Sequence, residues 1–120
     1  MTIVVVEDNR LIRELLVNVF MYCVNRKVLS FENGVEAWNY IMNHENADII
    51  VSDVDMPSMN GFELLSKTKE KYPGKVFIIM SSDPSNEKSA KELGADSFLP
   101  KPFNVNDLFN IVQTYVVGNN

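Results

Sequence analysis

A chain of 120 residues, 46% of them hydrophobic, has the material for one core and little room for two, and it is read as a single domain over residues 1–120. A net charge of -5 and a pI near 4.8 exclude the clustered basic excess that non-specific nucleic-acid binding requires. Cys23 is the only cysteine, which excludes an internal disulfide and a thiolate metal cluster.

The first predicted element is a strand over residues 3–6. It is apolar without alternation and is broken at once by Glu7 and Asp8, so it is not a secretory leader. Asp8 and Asn9 stand where a helix cap belongs. Behind them Ile12, Leu15, Leu16, Val19, Phe20 and Cys23 recur at helical spacing, which makes Cys23 a small core residue. Residues 28–31 form a run interrupted by Ser30 and suited to a sheet edge. Asn33, with Glu36 three places on, opens a helix carrying Val35, Trp38, Ile41 and Met42. His44, the only histidine, falls near the end of that helix and is read as structural, since an imidazolium there suits the helix dipole.

Residues 49–51 and 76–80 are again unbroken apolar runs, as expected of central strands covered on both faces. Between them residues 62–72 read as a helix closed by Pro73 and Gly74, with Lys67, Lys69 and Lys71 as its solvated end. Residues 85–93 read as a helix with mainly Ala90 and Leu93 to bury, so it is expected to be the least firmly held. Phe98 and Leu99, just before Pro100, make a second short edge strand. Asn104 with Asp107 opens the last helix, whose apolar stripe is Val105, Leu108, Phe109, Val112, Tyr115 and Val116. Phe31, Trp38, Phe62, Phe77 and Phe109 are expected in the core. No run reaches transmembrane length, and the expectation is a soluble, cytoplasmic domain that binds neither nucleic acid nor membrane.

Strands alternating with helices predict an α/β fold, a doubly wound five-stranded parallel sheet. Glu7 and Asp8 follow strand one, Asp53 strand three, Ser81 strand four and Lys101 strand five. All stand at carboxyl ends of strands, the edge at which open parallel sheets bind ligands. Placing strands one and three side by side brings the three acids together and implies the order 2-1-3-4-5. Such a cluster resists full ionisation unless a cation sits in it, and few protein ligands plus water favour Mg2+ over Ca2+. Asp53 then has the chemistry of a nucleophile toward phosphorus, with Lys101 and Ser81 placed to meet the charge of the transferring group.

Glu7-Asp8, the run Ile49-Ile50-Val51-Ser52-Asp53 with Met56-Pro57 and Gly61, then Ser81-Ser82 and Lys101-Pro102-Phe103, together resemble the response-regulator receiver family over nearly the whole chain. The order 2-1-3-4-5 belongs to flavodoxin-like sheets, of which the chemotaxis receiver is the standing example. The resemblance implies that Asp53 takes a phosphoryl group from a phosphohistidine on a histidine kinase or histidine phosphotransfer protein and later loses it by hydrolysis. It further implies Mg2+ held by Asp8, Asp53 and the backbone carbonyl of Asp55, with Glu7 acting through water. Ser81 and Phe98 are the implied switch pair, and Lys101 pairs with the phosphoryl group. Phe98 stands where the family often has Tyr, so no hydroxyl can serve the readout there. The Lys101–Pro102 peptide is expected to be cis, and the downstream partner or effector domain to meet the fourth helix, fifth strand and fifth helix. Asp55 and Asp83 are candidates for tuning hydrolysis. Such a domain is a switch that modifies itself, not a multiple-turnover enzyme on small substrates.

Two alternatives belong to other classes. Asp53-Val54-Asp55 after an apolar strand also resembles the opening motif of haloacid-dehalogenase-like phosphatases, but there that motif opens the chain and further acids follow the lysine. A pseudo-receiver, keeping the fold as a phosphorylation-independent interaction module, would have no need for the acidic, hydroxyl and lysine positions together.

Overall fold

The computed structural model describes residues 1–24 and 26–117. Along the chain run β1 (Thr2–Val6), α1 (Arg10–Cys23), β2 (Lys27–Phe31), α2 (Gly34–Asn43), β3 (Ala47–Asp53) and α3 (Gly61–Lys71). They are followed by β4 (Val76–Ser81), α4 (Asn86–Glu92), β5 (Ser97–Pro100), α5 (Val105–Val112) and a π-helical turn over Gln113–Val117. The five strands form one parallel sheet, as the alternating pattern predicts, in the order β2-β1-β3-β4-β5 that placing strands one and three side by side and the family resemblance imply.

Strand alternation divides the core in two. Ile3, Val5, Ile49, Val51, Ile78, Met80 and Leu99 face α1 and α5, where they meet Leu16, Phe20, Leu108 and Ile111. Val4, Val6, Ile50, Phe77 and Ile79 face the other way, toward Ala37, Ile41, Leu64, Leu65 and Ala90. Burial on both faces is why β1, β3 and β4 read as continuous apolar runs. Asn9, Asn33, Asn60 and Asn104 each accept an N–H of the following first turn, and Asn104 and Asp107 close a reciprocal capping box.

Several expected core positions lie elsewhere. Leu15 is 50% and Phe109 46% exposed, and Val35 and Val105 are exposed as well. In α5 the buried residues are Leu108, Ile111 and Val112, so the stripe is turned by about one residue from the predicted one. The α-helix also stops at Val112, before Tyr115 and Val116, and at the π turn the Thr114 hydroxyl donates to the Asn110 carbonyl, a bond that competes with regular helix. Leu93 is 40% exposed, which leaves α4 with Ala90 alone as its buried side chain. The weakest helix is held even less than its sequence suggests.

Lys69 is a second correction, for it is not a solvated end. Its Nζ donates to the Lys75 carbonyl at 2.6 Å and pairs with Asp96 Oδ2 at 2.8 Å, and the same carboxylate oxygen accepts the Phe77 N–H at 2.8 Å. One acid thus joins α3, β4 and the start of β5. Asp96→Ala strands the Phe77 N–H, leaves the Lys69 ammonium with carbonyl partners and no counter-charge, and is expected to cost about 2 kcal/mol, read as a lower urea midpoint at unchanged slope.

Candidate functional site

Three loops at the carboxyl edge of the sheet build the site. Glu7 and Asp8 leave β1, Asp53 ends β3, and one carboxylate oxygen from each lies within 4.8 Å of the others. The predicted acidic cluster is therefore real. Glu7 is 1% exposed, Asp53 is buried and Asp8 is exposed, so the group grades from core to solvent. Arg13 of α1 steadies the loop from below, its Nη1 donating to the carbonyls of Glu7 at 2.8 Å and Asp8 at 3.3 Å.

Lys101 enters from the end of β5. Its Nζ donates to Glu7 Oε1 at 2.6 Å and lies 3.2 Å from Asp53 Oδ1. Asp53 Oδ1 also accepts the N–H of Val54 at 2.9 Å, while Glu7 Oε2 accepts that of Asn9 at 3.1 Å. Burial raises Glu7 above its ordinary value, and the Lys101 hydrogen bond opposes this in part. Burial likewise raises Asp53 against the nearby Lys101 charge. For Lys101 burial alone would lower the pKa, but the two carboxylates outweigh it and the ammonium is raised above 10.5.

The loop after Asp53 is shaped by a close approach. Gly61 opens α3 against the backbone of Asp53 and Val54 and donates its N–H to the Val54 carbonyl at 2.9 Å. Ser58 takes a φ of 70° within the same loop, and Asp55 is exposed beside it. Across the site the Lys101–Pro102 peptide is cis, as the motif implied.

Ser81 is buried at the end of β4, and its Oγ accepts from Asp83 N at 3.0 Å and Asn86 Nδ2 at 2.8 Å. Phe98 is partly buried on the same face of the sheet, packed against the core that holds Ile79 and Ala90. Asp83 is turned into its own loop, accepting from the N–H and hydroxyl of Ser85 at 3.0 and 2.7 Å, and these two bonds lower its pKa. His44 stacks on Tyr40 at 3.8 Å, its Nδ1 2.9 Å from the Tyr40 carbonyl and on another part of the fold. Sequence reading missed the Glu7–Lys101 pair, Arg13 and Asn86. The pair spans 94 positions, and an Arg or Asn on a helix has no distinctive spacing.

The acids, the lysine and the hydroxyl stand together at the carboxyl edge of a 2-1-3-4-5 sheet, the layout of a signalling domain by type. Residues 3–113 match the response regulator receiver domain family, and the chain belongs to it. It is thus a receiver domain of two-component signal transduction. Over 104 residues it is 34% identical to the response regulator GtcR of Aneurinibacillus migulanus, covering 86% of this chain and 42% of that protein. It is 30% identical to the chemotaxis protein CheY homolog of Campylobacter jejuni over 107 residues, covering 86% and 82% of the two chains. The response regulator TrrA of Thermotoga maritima, solved in complex with Mg2+–BeF, superposes with a TM-score of 0.84 at 27% identity over 93% of this chain and 96% of that one. These matches favour neither the phosphatase nor the pseudo-receiver. Among the described residues no helix is long and apolar enough to cross a membrane.

Proposed function

We propose that this domain accepts a phosphoryl group on Asp53 from a phosphohistidine on a partner kinase or phosphotransfer protein, and passes its state to a partner through α4, β5 and α5. The observation that carries the reading is Asp53 itself, a buried carboxylate bridged by Lys101 and crowded by two further acids. Oδ1 is occupied by Lys101 and the Val54 N–H, and among the described residues no hydrogen bond reaches Oδ2. Oδ2 is then the nucleophile. Its bond to phosphorus forms as the P–N bond of the donor breaks, and that electron pair returns to the imidazole nitrogen.

The donor set is hard oxygen, and among the described residues three carboxylates exceed the one ammonium, that of Lys101, that reaches them, so a divalent cation fits. Asp8, Asp53 and the Asp55 carbonyl would hold Mg2+, with Glu7 acting through water. When bound, it supplies charge neutralisation for the nucleophile and the transferring phosphoryl oxygens. Lys101 would exchange Asp53 for a phosphoryl oxygen while keeping Glu7, and Ser81 would turn toward the same group as Phe98 fills the space it leaves. Asp83 is spent on Ser85, which makes exposed Asp55 the stronger candidate for tuning hydrolysis.

The decisive experiment offers the protein a phosphohistidine donor or a small phosphodonor with and without Mg2+. One equivalent of label on the wild type, none without the metal and none on Asp53→Asn is the expected result. Multiple turnover of a small phosphate ester, or label on Asp53→Asn, would overturn the reading.

A further inference from the structure

Strand alternation places the Asp53 and Ser81 side chains on different faces of the sheet. Asp53 follows Val51 toward α1 and α5, whereas Ser81 follows Phe77 and Ile79 toward α3 and α4. There both lone pairs of Ser81 Oγ are filled, one by the Asp83 N–H and one by the Asn86 side-chain amide. Asn86 is the first residue of α4, the helix with one buried side chain and no cap bond from Ser85. A single side-chain hydrogen bond is therefore a large part of what ties the start of α4 to the sheet.

We propose that Asn86 is a positioning residue that latches Ser81 to α4 in the unphosphorylated protein, so that capture of Ser81 by a phosphoryl group on Asp53 also releases the first turn of α4. This rests on Asp53 as the phosphoacceptor and Ser81 as its sensor. The Asp83 bond is local to the loop and travels with it. The Asn86 bond crosses to a separate element, so it alone converts a rotation of one hydroxyl into freedom for a helix. Because the latch exists only in the resting state, it opposes the phosphorylated one. Its removal shifts the population toward the active arrangement before any phosphate arrives.

The test is a titration of beryllofluoride in excess Mg2+, followed by the amide resonances of residues 86–92. Asn86→Ala, and Asn86→Ser as a second replacement too short to reach Ser81, are expected to lower the half-saturating concentration about fivefold, the worth of one ordinary hydrogen bond. Their free-state α4 resonances should also move part of the way to the saturated positions. In a Ser81→Ala background Asn86→Ala is expected to change nothing, because the partner is gone. Unchanged or weaker saturation by both Asn86 variants overturns the latch while leaving the phosphoacceptor reading intact, and so does a tightening that persists without Ser81. A wild type that never saturates overturns both.

Discussion

Gly61→Ala is expected to lose about 2–3 kcal/mol of stability and to slow labelling of Asp53 about a hundredfold. A Cβ on Gly61 would fall on the Asp53 carbonyl oxygen, and would meet the Asp53 carbonyl carbon and Val54 Cα at 2.9 Å each. All three are backbone atoms, so no side chain can step aside. Nor can the loop yield freely, because the Val54 N–H is held by the Met80 carbonyl at 3.1 Å and the Gly61 N–H by the Val54 carbonyl at 2.9 Å. Either α3 backs away from the sheet and opens the core at Leu64 and Leu65, or the end of β3 moves and takes Asp53 out of line. Gly74→Ala is the control, since a Cβ there meets nothing within 4 Å. Urea unfolding and the labelling rate measured on both variants separate the two positions. A Gly61→Ala protein matching Gly74→Ala in both would show that the close approach does not matter.

What made the site legible was its place at strand ends. Glu7, Asp8, Asp53 and Lys101 each follow an apolar run, and a parallel sheet aligns such positions along one edge whatever the helices between them do. Helix faces were read less well for a physical reason. In a short helix the apolar stripe is only a few residues wide, and a shift of one place exposes Phe109 and buries Ile111. Lys69 was misread because its long stem lets the ammonium reach back over the helix end to Asp96, 27 positions away. The Glu7–Lys101 pair lies beyond any local pattern, since it forms only after β5 joins the sheet. Residue types alone show acids that repel one another, but which of them the lysine serves is decided by the folded sheet.

That allocation sets the largest electrostatic effect expected in the molecule. In metal-free buffer at neutral pH, Lys101→Met is predicted to cost about 3 kcal/mol, because Glu7 stays buried with the Asn9 N–H as its remaining hydrogen bond and faces Asp53 with no cation between. Burial already raises both acids above their ordinary values of 4.5 and 3.8, and Lys101 pulls them back. Losing the ammonium removes that restraint. An acid whose folded pKa exceeds its unfolded value binds more protons in the folded state, so its contribution is fully present below the unfolded pKa and is lost as pH climbs through the folded one. Lys101→Met should therefore regain stability on acidification from neutral pH toward about pH 5, a recovery larger than the wild type's. Mg2+ at neutral pH should restore part of the loss by standing in for the missing charge. Glu7→Gln combined with Lys101→Met should remove most of the pH dependence along with most of the cost, since the buried charge is then gone. Thermal unfolding of the three proteins across that range, with and without Mg2+ at neutral pH, decides the matter. A Lys101→Met variant as stable as the wild type at neutral pH, with an unchanged pH profile, would mean that the ion pair contributes nothing and that Lys101 waits for its phosphoryl partner unengaged.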